Sequence, residues 1–131
     1  MRQSFEIEGS LDGLNEYTKA NRSGIHAGAK MKRANQDAVS RAIRTAGLKP
    51  MGGSVAVTIV WIEGIRPGRR QFRPRDRDNI RFAAKFILDA LVETGIIADD
   101  SWNRVLSVTD RFLLNRNSPR IIVEVEEVPD A

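Results

Sequence analysis

The 131-residue sequence predicts an α/β (α+β) domain, a small mixed β-sheet with two main helices in the order β-α-β-α-β-β. Three observations carry this. Residues 55–62 are β-branched and apolar on both faces, as a strand buried inside a sheet must be. Two longer stretches repeat small or apolar residues at helical spacing. Near the C-terminus Ile121, Val123 and Val125 alternate with Ile122, Glu124 and Glu126, the period of a strand with two unlike faces.

Taken in order, Ser4, Phe5, Glu6, Ile7 and Glu8 alternate polar and apolar, which predicts a short half-buried strand ending at Gly9. Residues 9–28 are polar and rich in Gly and Asn, and read as a long loop holding Leu14, Asn15 and Tyr17. A first helix is predicted over residues 29–46. Met31, Ala34, Ala38, Ala42 and Ala46 make a small-residue face, while Lys30, Lys32, Arg33, Arg41 and Arg44 lie largely elsewhere. Gly47 and Pro50 stop it. A second helix starts near Asp78 or Asn79, both good N-cap types, and runs to Thr94 before Gly95. Its buried stripe is Ile80, Ala84, Ile87, Leu88 and Leu91. A tight turn at Asp99 and Asp100 leads to strands over residues 104–110 and 120–127. Nothing repeats, so residues 1–131 read as a single domain.

Composition narrows the chemistry. Hydrophobic residues at 41% and charged residues at 29% fit a globular domain. No apolar run approaches the roughly 18 residues of a membrane helix, and the N-terminus lacks a signal-peptide core, so no membrane partner and a cytoplasmic location are expected. Cysteine is absent, which excludes disulfides and thiolate metal sites. His26 is the only histidine and reads as an exposed residue before a helix. Catalysis, if any, falls to carboxylates, lysine or a bound hard cation.

The net charge of +4 is unevenly spread. Arg66, Arg69, Arg70, Arg73, Arg75, Arg77 and Arg81 form a run broken by only two acids, Asp76 and Asp78, whereas Glu124 to Asp130 is acidic. Such a run is the footprint of polyphosphate binding, and composition alone does not separate it from a solvated arginine loop. In an extended segment Asp76 and Asp78 point the same way, Arg77 the other. Two converging carboxylates repel unless a cation sits between them, and Mg²⁺ accepts one or two carboxylates together with waters and phosphate oxygens. Surface loops also produce D-x-D by chance. Lys85, seven residues after Asp78, returns to nearly the same helical face about 10.5 Å along the axis. With Asp89 it could equally form an ordinary surface ion pair. Asp99 and Asp100 form a second acid pair, a capping device or a metal ligand.

The run Arg75-Asp76-Arg77-Asp78-Asn79, then Lys85-Phe86-Ile87-Leu88-Asp89-Ala90-Leu91, then Gly95-Ile96-Ile97-Ala98-Asp99-Asp100, resembles the hallmark of the RusA family of Holliday junction resolvases. Residues 9–16 are similar to that family's opening loop, and K-F-I-L-D-A-L to its phage and prophage members. The resemblance implies a dimeric, Mg²⁺-dependent endonuclease, with Mn²⁺ as a substitute, that nicks four-way DNA junctions in a bacterial cell. It makes Asp76, Asp78 and Asp100 the metal ligands and Lys85 the essential lysine. Five residues separate Asn79 from Lys85 where the type member has two, so Lys85 matches only when the helix is aligned from D-A-L. Arg66, Arg69, Arg70, Arg73, Arg75 and Arg77, with Lys30, Lys32 and Arg33 of the first helix, are expected to bind DNA backbones. Asn15, Asn79 and Asp99 are expected as auxiliary residues. A helix over residues 79–94 would carry the chain roughly 24 Å from D-x-D, and six extended residues return about 20 Å. Closure of the site is thus tight within one chain, and a shorter helix or a site shared across the dimer is the alternative. Two rival readings are a nuclease on other branched DNA and a non-catalytic DNA-binding member of the fold. Retention of all three carboxylates argues against the second.

Overall fold

Strand β2 (Val55–Glu63) is the spine of the fold, and its sequence explains why. Val55, Val57, Ile59 and Trp61 are buried on one face and Ala56, Thr58 and Val60 half-buried on the other, so β2 can sit only inside a sheet. In the computed structural model, which describes residues 1–129, it lies between β3 (Val105–Leu114) and β4 (Arg120–Glu127). The β3 pairing is parallel and the β4 pairing antiparallel. Strand β1 (Arg2–Glu8) pairs antiparallel with β4 on the far side, giving the order β1-β4-β2-β3. The sheet is therefore mixed, as the sequence predicts. Glu124 lies in β4, whereas Asp130 of the acidic C-terminus falls outside the described residues.

One face carries the core. Phe5, Ile7, Val57, Ile59, Trp61, Ile121, Val123 and Val125 meet Val39, Ile43, Phe86, Ile87 and Leu91 from the helices. The first long helix, α2 (Ala27–Ala46), begins two residues before its predicted start. It ends where expected: Gly47 takes φ +70°, a left-handed conformation, and its N–H reaches the carbonyls of Ile43 and Arg44.

Two expectations fail. Residues 9–28 are not all loop, because Leu14–Ser23 forms helix α1. The segment is polar, buries no residue and has no side-chain cap at its own N-cap, so it lacks the apolar stripe that marks a helix in sequence. Contacts from distant sequence hold it, with the Tyr17 ring 5.3 Å from Phe82 and 6.5 Å from Phe86. The second long helix is also not continuous. It divides into α3 (Arg77–Arg81) and α4 (Ala84–Glu93), joined by a turn at Phe82 and Ala83. There Ala83 N–H bonds to Ile80 and Phe86 N–H to Ala83, a tighter spacing than the α-helix. Phe82 and Phe86 meet edge-on at 5.8 Å, and both rings face Tyr17. Among the described residues no helix is long and apolar enough to cross a membrane.

Candidate active site

The C-terminal ends of β2 and β3 face the start of α3, and the site is built there. Glu63 closes β2 and is 5% exposed. A carboxylate so deep needs a partner, and Arg75 supplies it, donating from Nε to Oε2 at 3.1 Å and from Nη2 to Oε1 at 2.7 Å. The other Nη of Arg75 donates to the Leu11 carbonyl at 2.9 Å and to Glu16 at 3.0 Å. Burial lowers the Arg75 pKa, but the bonds to Glu63 outweigh it and the guanidinium is held above its usual value. Burial likewise pushes the Glu16 carboxyl up. Backbone N–H donors and Arg75 outweigh that, and it titrates below the ordinary glutamate range. Arg75, expected to touch DNA, is thus an internal clamp with a side chain only 7% exposed.

The asparagine of the D-x-D-N run has an equally structural role. Asn79 Oδ1 accepts the backbone N–H of Asn15 at 2.8 Å and so caps α1 from 64 residues away. Asn15 meets Asn79 through its main chain. Gly13 lies against the same residue, and a Cβ there would come within 2.4 Å of the Asn79 carbonyl, so only glycine fits without displacement. The family-like opening loop and the D-x-D-N run are therefore one packed unit.

The two acids themselves stand free. Asp76 precedes α3 as its extended N-cap and Asp78 falls in the first helical turn. They do not share one extended segment, as the spacing argument supposed, although both are exposed beside the same helix start. Every neighbouring arginine that forms a contact is engaged elsewhere. Arg66 and Arg75 take Glu16, Arg81 takes Asp110 at 3.1 Å, and Arg77 lies over the Phe112 ring at 5.7 Å. Among the described residues neither Asp76 nor Asp78 has an ion-pair partner. Asp76 borders two hollows. One, of about 300 Å³, is walled by Glu63, Phe112 and Leu114, and the other, of about 460 Å³, by Asn15, Lys19, Arg66 and Arg69. Arg66, Arg69, Arg70 and Arg73 line a further hollow of about 430 Å³ beside them.

Asp100 is not there. It lies before β3, whereas Asp76 lies against the far end of that strand, and ten residues of β3 span about 30 Å. Asp100 instead shares a surface with Lys32, Gln36, Asp89 and Glu93. No three acidic or histidine side chains among the described residues gather closely enough to hold a metal. Asp76 and Asp78 stand at one helix start, but among the described residues one chain does not assemble the expected set of three.

The remaining residues divide. Lys85 is exposed in the first turn of α4, and the break before it removes the continuous helical phase that linked it to Asp78. Asp89 pairs with Lys32 at 3.7 Å, not with Lys85. Arg33 binds Asp37 and Glu93, so both Lys32 and Arg33, expected on DNA, tie α2 to acids. Lys30 is exposed. Asp99 accepts hydrogen bonds from the Ser101 side chain and backbone N–H, which hold it below the usual carboxylate range and shape the turn before Asp100.

Sequence reasoning missed Glu63, Glu16 and Asp110. For Glu63 a signal existed: a carboxylate ending the most apolar strand demands a cation, and an arginine run follows it. Asp110 takes the Trp61 indole N–H at 2.8 Å as well as Arg81, contacts across 49 and 29 residues that no local pattern announces.

No curated protein sequence matches the chain. A model of the family described as Endodeoxyribonuclease RusA matches residues 13–126, from the glycine that packs on Asn79 almost to the end of β4. With that match covering most of its 131 residues, the chain belongs to the RusA endodeoxyribonuclease family.

Proposed function

We propose that the protein is a Mg²⁺-dependent endonuclease that cuts four-way DNA junctions as a homodimer, in recombination or phage DNA processing. The observation that carries this reading is the pair of exposed carboxylates, Asp76 and Asp78, left without ion pairs amid arginines that bind other groups. Free carboxylates inside a basic surface suit a site that takes a hard cation and a phosphodiester together. Bound there, Mg²⁺ would activate water and offset charge on the scissile phosphate.

The chain's own residues do the rest. Arg69, Arg70 and Arg73, exposed beside Asp76, neutralise backbone phosphates, and Lys19 and Arg66 border the same hollow. The Glu63–Arg75 clasp fixes the loop that carries Asp76 to the end of β2.

Asp100 is best supplied by a second copy. A two-fold axis perpendicular to β3 reverses the strand, so that the Asp100 end of one copy lies beside the Asp76 end of the other. Strand β3 suits that contact because it is the sheet's edge and exposes Leu106, Leu113 and Leu114. Its register jumps from Val55↔Val105 to Ala56↔Ser107, which leaves Leu106 unpaired and half-exposed. An isologous dimer also gives the two sites that paired cuts in a two-fold junction need. Nicking of synthetic four-way junctions with and without Mg²⁺, beside flapped and linear duplex controls, tests the reading. Symmetric cuts confined to the junction support it, and equal cutting of flaps favours a general branched-DNA nuclease.

A further inference from the structure

The protein has two tryptophans in opposite settings. Trp61 is 2% exposed and its indole N–H is spent on Asp110. Trp102 is 87% exposed, two residues after Asp100. Leaving an indole in water forgoes the largest burial available to any side chain, so the position calls for a reason.

The turn around Trp102 is firmly built. Ser101 donates to Asp99, Arg104 N–H and Val105 N–H both reach the Ser101 carbonyl, and the Asn103 carbonyl accepts the Ser54 hydroxyl at 2.8 Å. Arg104 Nη1 donates to the Gly52 carbonyl at 2.8 Å. The backbone just after Trp102 is therefore pinned to the loop before β2, while the ring projects outward. The neighbours Asp100, Ser101 and Asn103 are polar and exposed. An indole docking a protein is ringed by apolar contacts that exclude water, whereas the immediate chain neighbours of Trp102 are polar and the nearest exposed apolar side chain in the sequence is Leu106 on the β3 edge. A largely exposed π-face beside hydrogen-bonding groups matches a nucleobase, which offers one flat face and a polar edge.

We infer that Trp102 is a stacking platform for an unpaired or splayed DNA base next to the phosphate at which Asp100 acts. This rests on the reading of Asp100 as part of the cutting site. The Asn103 side chain is exposed one residue further on; its Oδ1 accepts from the Ser101 hydroxyl, and its amide N–H groups are the donors it can offer to the edge of a stacked base.

Tryptophan emission tests it. With Trp61 buried, the component of emission that iodide quenches in the free protein belongs to Trp102 and vanishes in Trp102→Phe. Titrating a four-way junction in EDTA, where the DNA stays intact, is expected to quench that component and shield it from iodide. Trp102→Leu, equally apolar but without a ring, is expected to bind the junction about tenfold more weakly, and Trp102→Phe to keep most of the affinity. Emission indifferent to saturating junction, in a preparation that cuts the same junction in Mg²⁺, would overturn the inference and leave the endonuclease reading intact. So would emission already shielded in the free protein together with monomerisation of Trp102→Leu, which would make the ring a protein contact. Failure of the wild-type protein to cut any junction is read separately, in the cleavage assay, and would remove both.

Discussion

Arg75 and Glu63 are joined by two parallel hydrogen bonds of 3.1 and 2.7 Å, with both side chains 7% exposed. The pair stands one residue before Asp76 and at the last residue of β2, so it transmits the rigidity of the sheet to the loop that carries the acids. Arg75→Ala would leave the Glu63 carboxylate buried and unpaired, a change that costs about 3–5 kcal/mol. Urea denaturation should therefore show a large loss of stability in Arg75→Ala. A loss under about 1 kcal/mol would mean that the clasp is not formed in solution.

Asn79→Ala should cost about 1 kcal/mol, because it removes the side-chain cap on the N-terminus of α1. The loss should concentrate locally. Amide exchange is expected to rise through residues 14–23 while the β2 core stays protected. Uniform change across the chain would show that Asn79 does not hold α1.

This cap also marks where legibility in the sequence ended. Strand β2, the alternating β4 and the α2 stop at Gly47 were all readable, because each is encoded by residues inside the element. Helix α1 was not, since its cap lies 64 residues away and its face is covered by Phe82 and Phe86. The three acids were legible as residue types, and the tight chain closure already left a site shared across a dimer open, but the extent of their separation was not legible. It follows from β2 and β3 running parallel, which places the chain before β3 and the loop after β2 at opposite ends of the sheet.

The basic surface divides into free and engaged cations. Neutralising Arg69, Arg70 and Arg73 together should lower the salt slope of DNA binding by about 2–3, close to one released counterion per lost phosphate contact. Neutralising Lys32 and Arg33 should change that slope little, because Asp89, Asp37 and Glu93 already pair with them. The reverse pattern, measured by binding titrations at several salt concentrations, would place the DNA along α2.

Acid should destabilise the fold in a stated window. Glu93 is held below the ordinary glutamate range by the Arg33 hydrogen bonds, and Glu16 by backbone donors and Arg75 against the opposing effect of burial. A carboxyl with a depressed folded pKa contributes stability above its unfolded value and loses it as the pH falls through the folded one. Stability should thus be level near neutrality and decline below roughly pH 4.5. Glu16→Gln should flatten part of that decline. An acid limb unchanged in Glu16→Gln would separate Glu16 from the Arg75 network.

In the proposed dimer one cutting site draws Asp76 and Asp78 from one copy and Asp100 from the other. Asp76→Asn and Asp100→Asn homodimers should each fail to cut, while junction binding survives because the removed charges face phosphate. Co-refolding the two inactive variants tests this sharing directly. In the mixed dimer one site carries both substitutions and the other carries none, so junction nicking in Mg²⁺ should return, at one strand per dimer. If all three acids served within a single chain, each site of the mixed dimer would keep one substitution, and the mixture would remain as inactive as its parents.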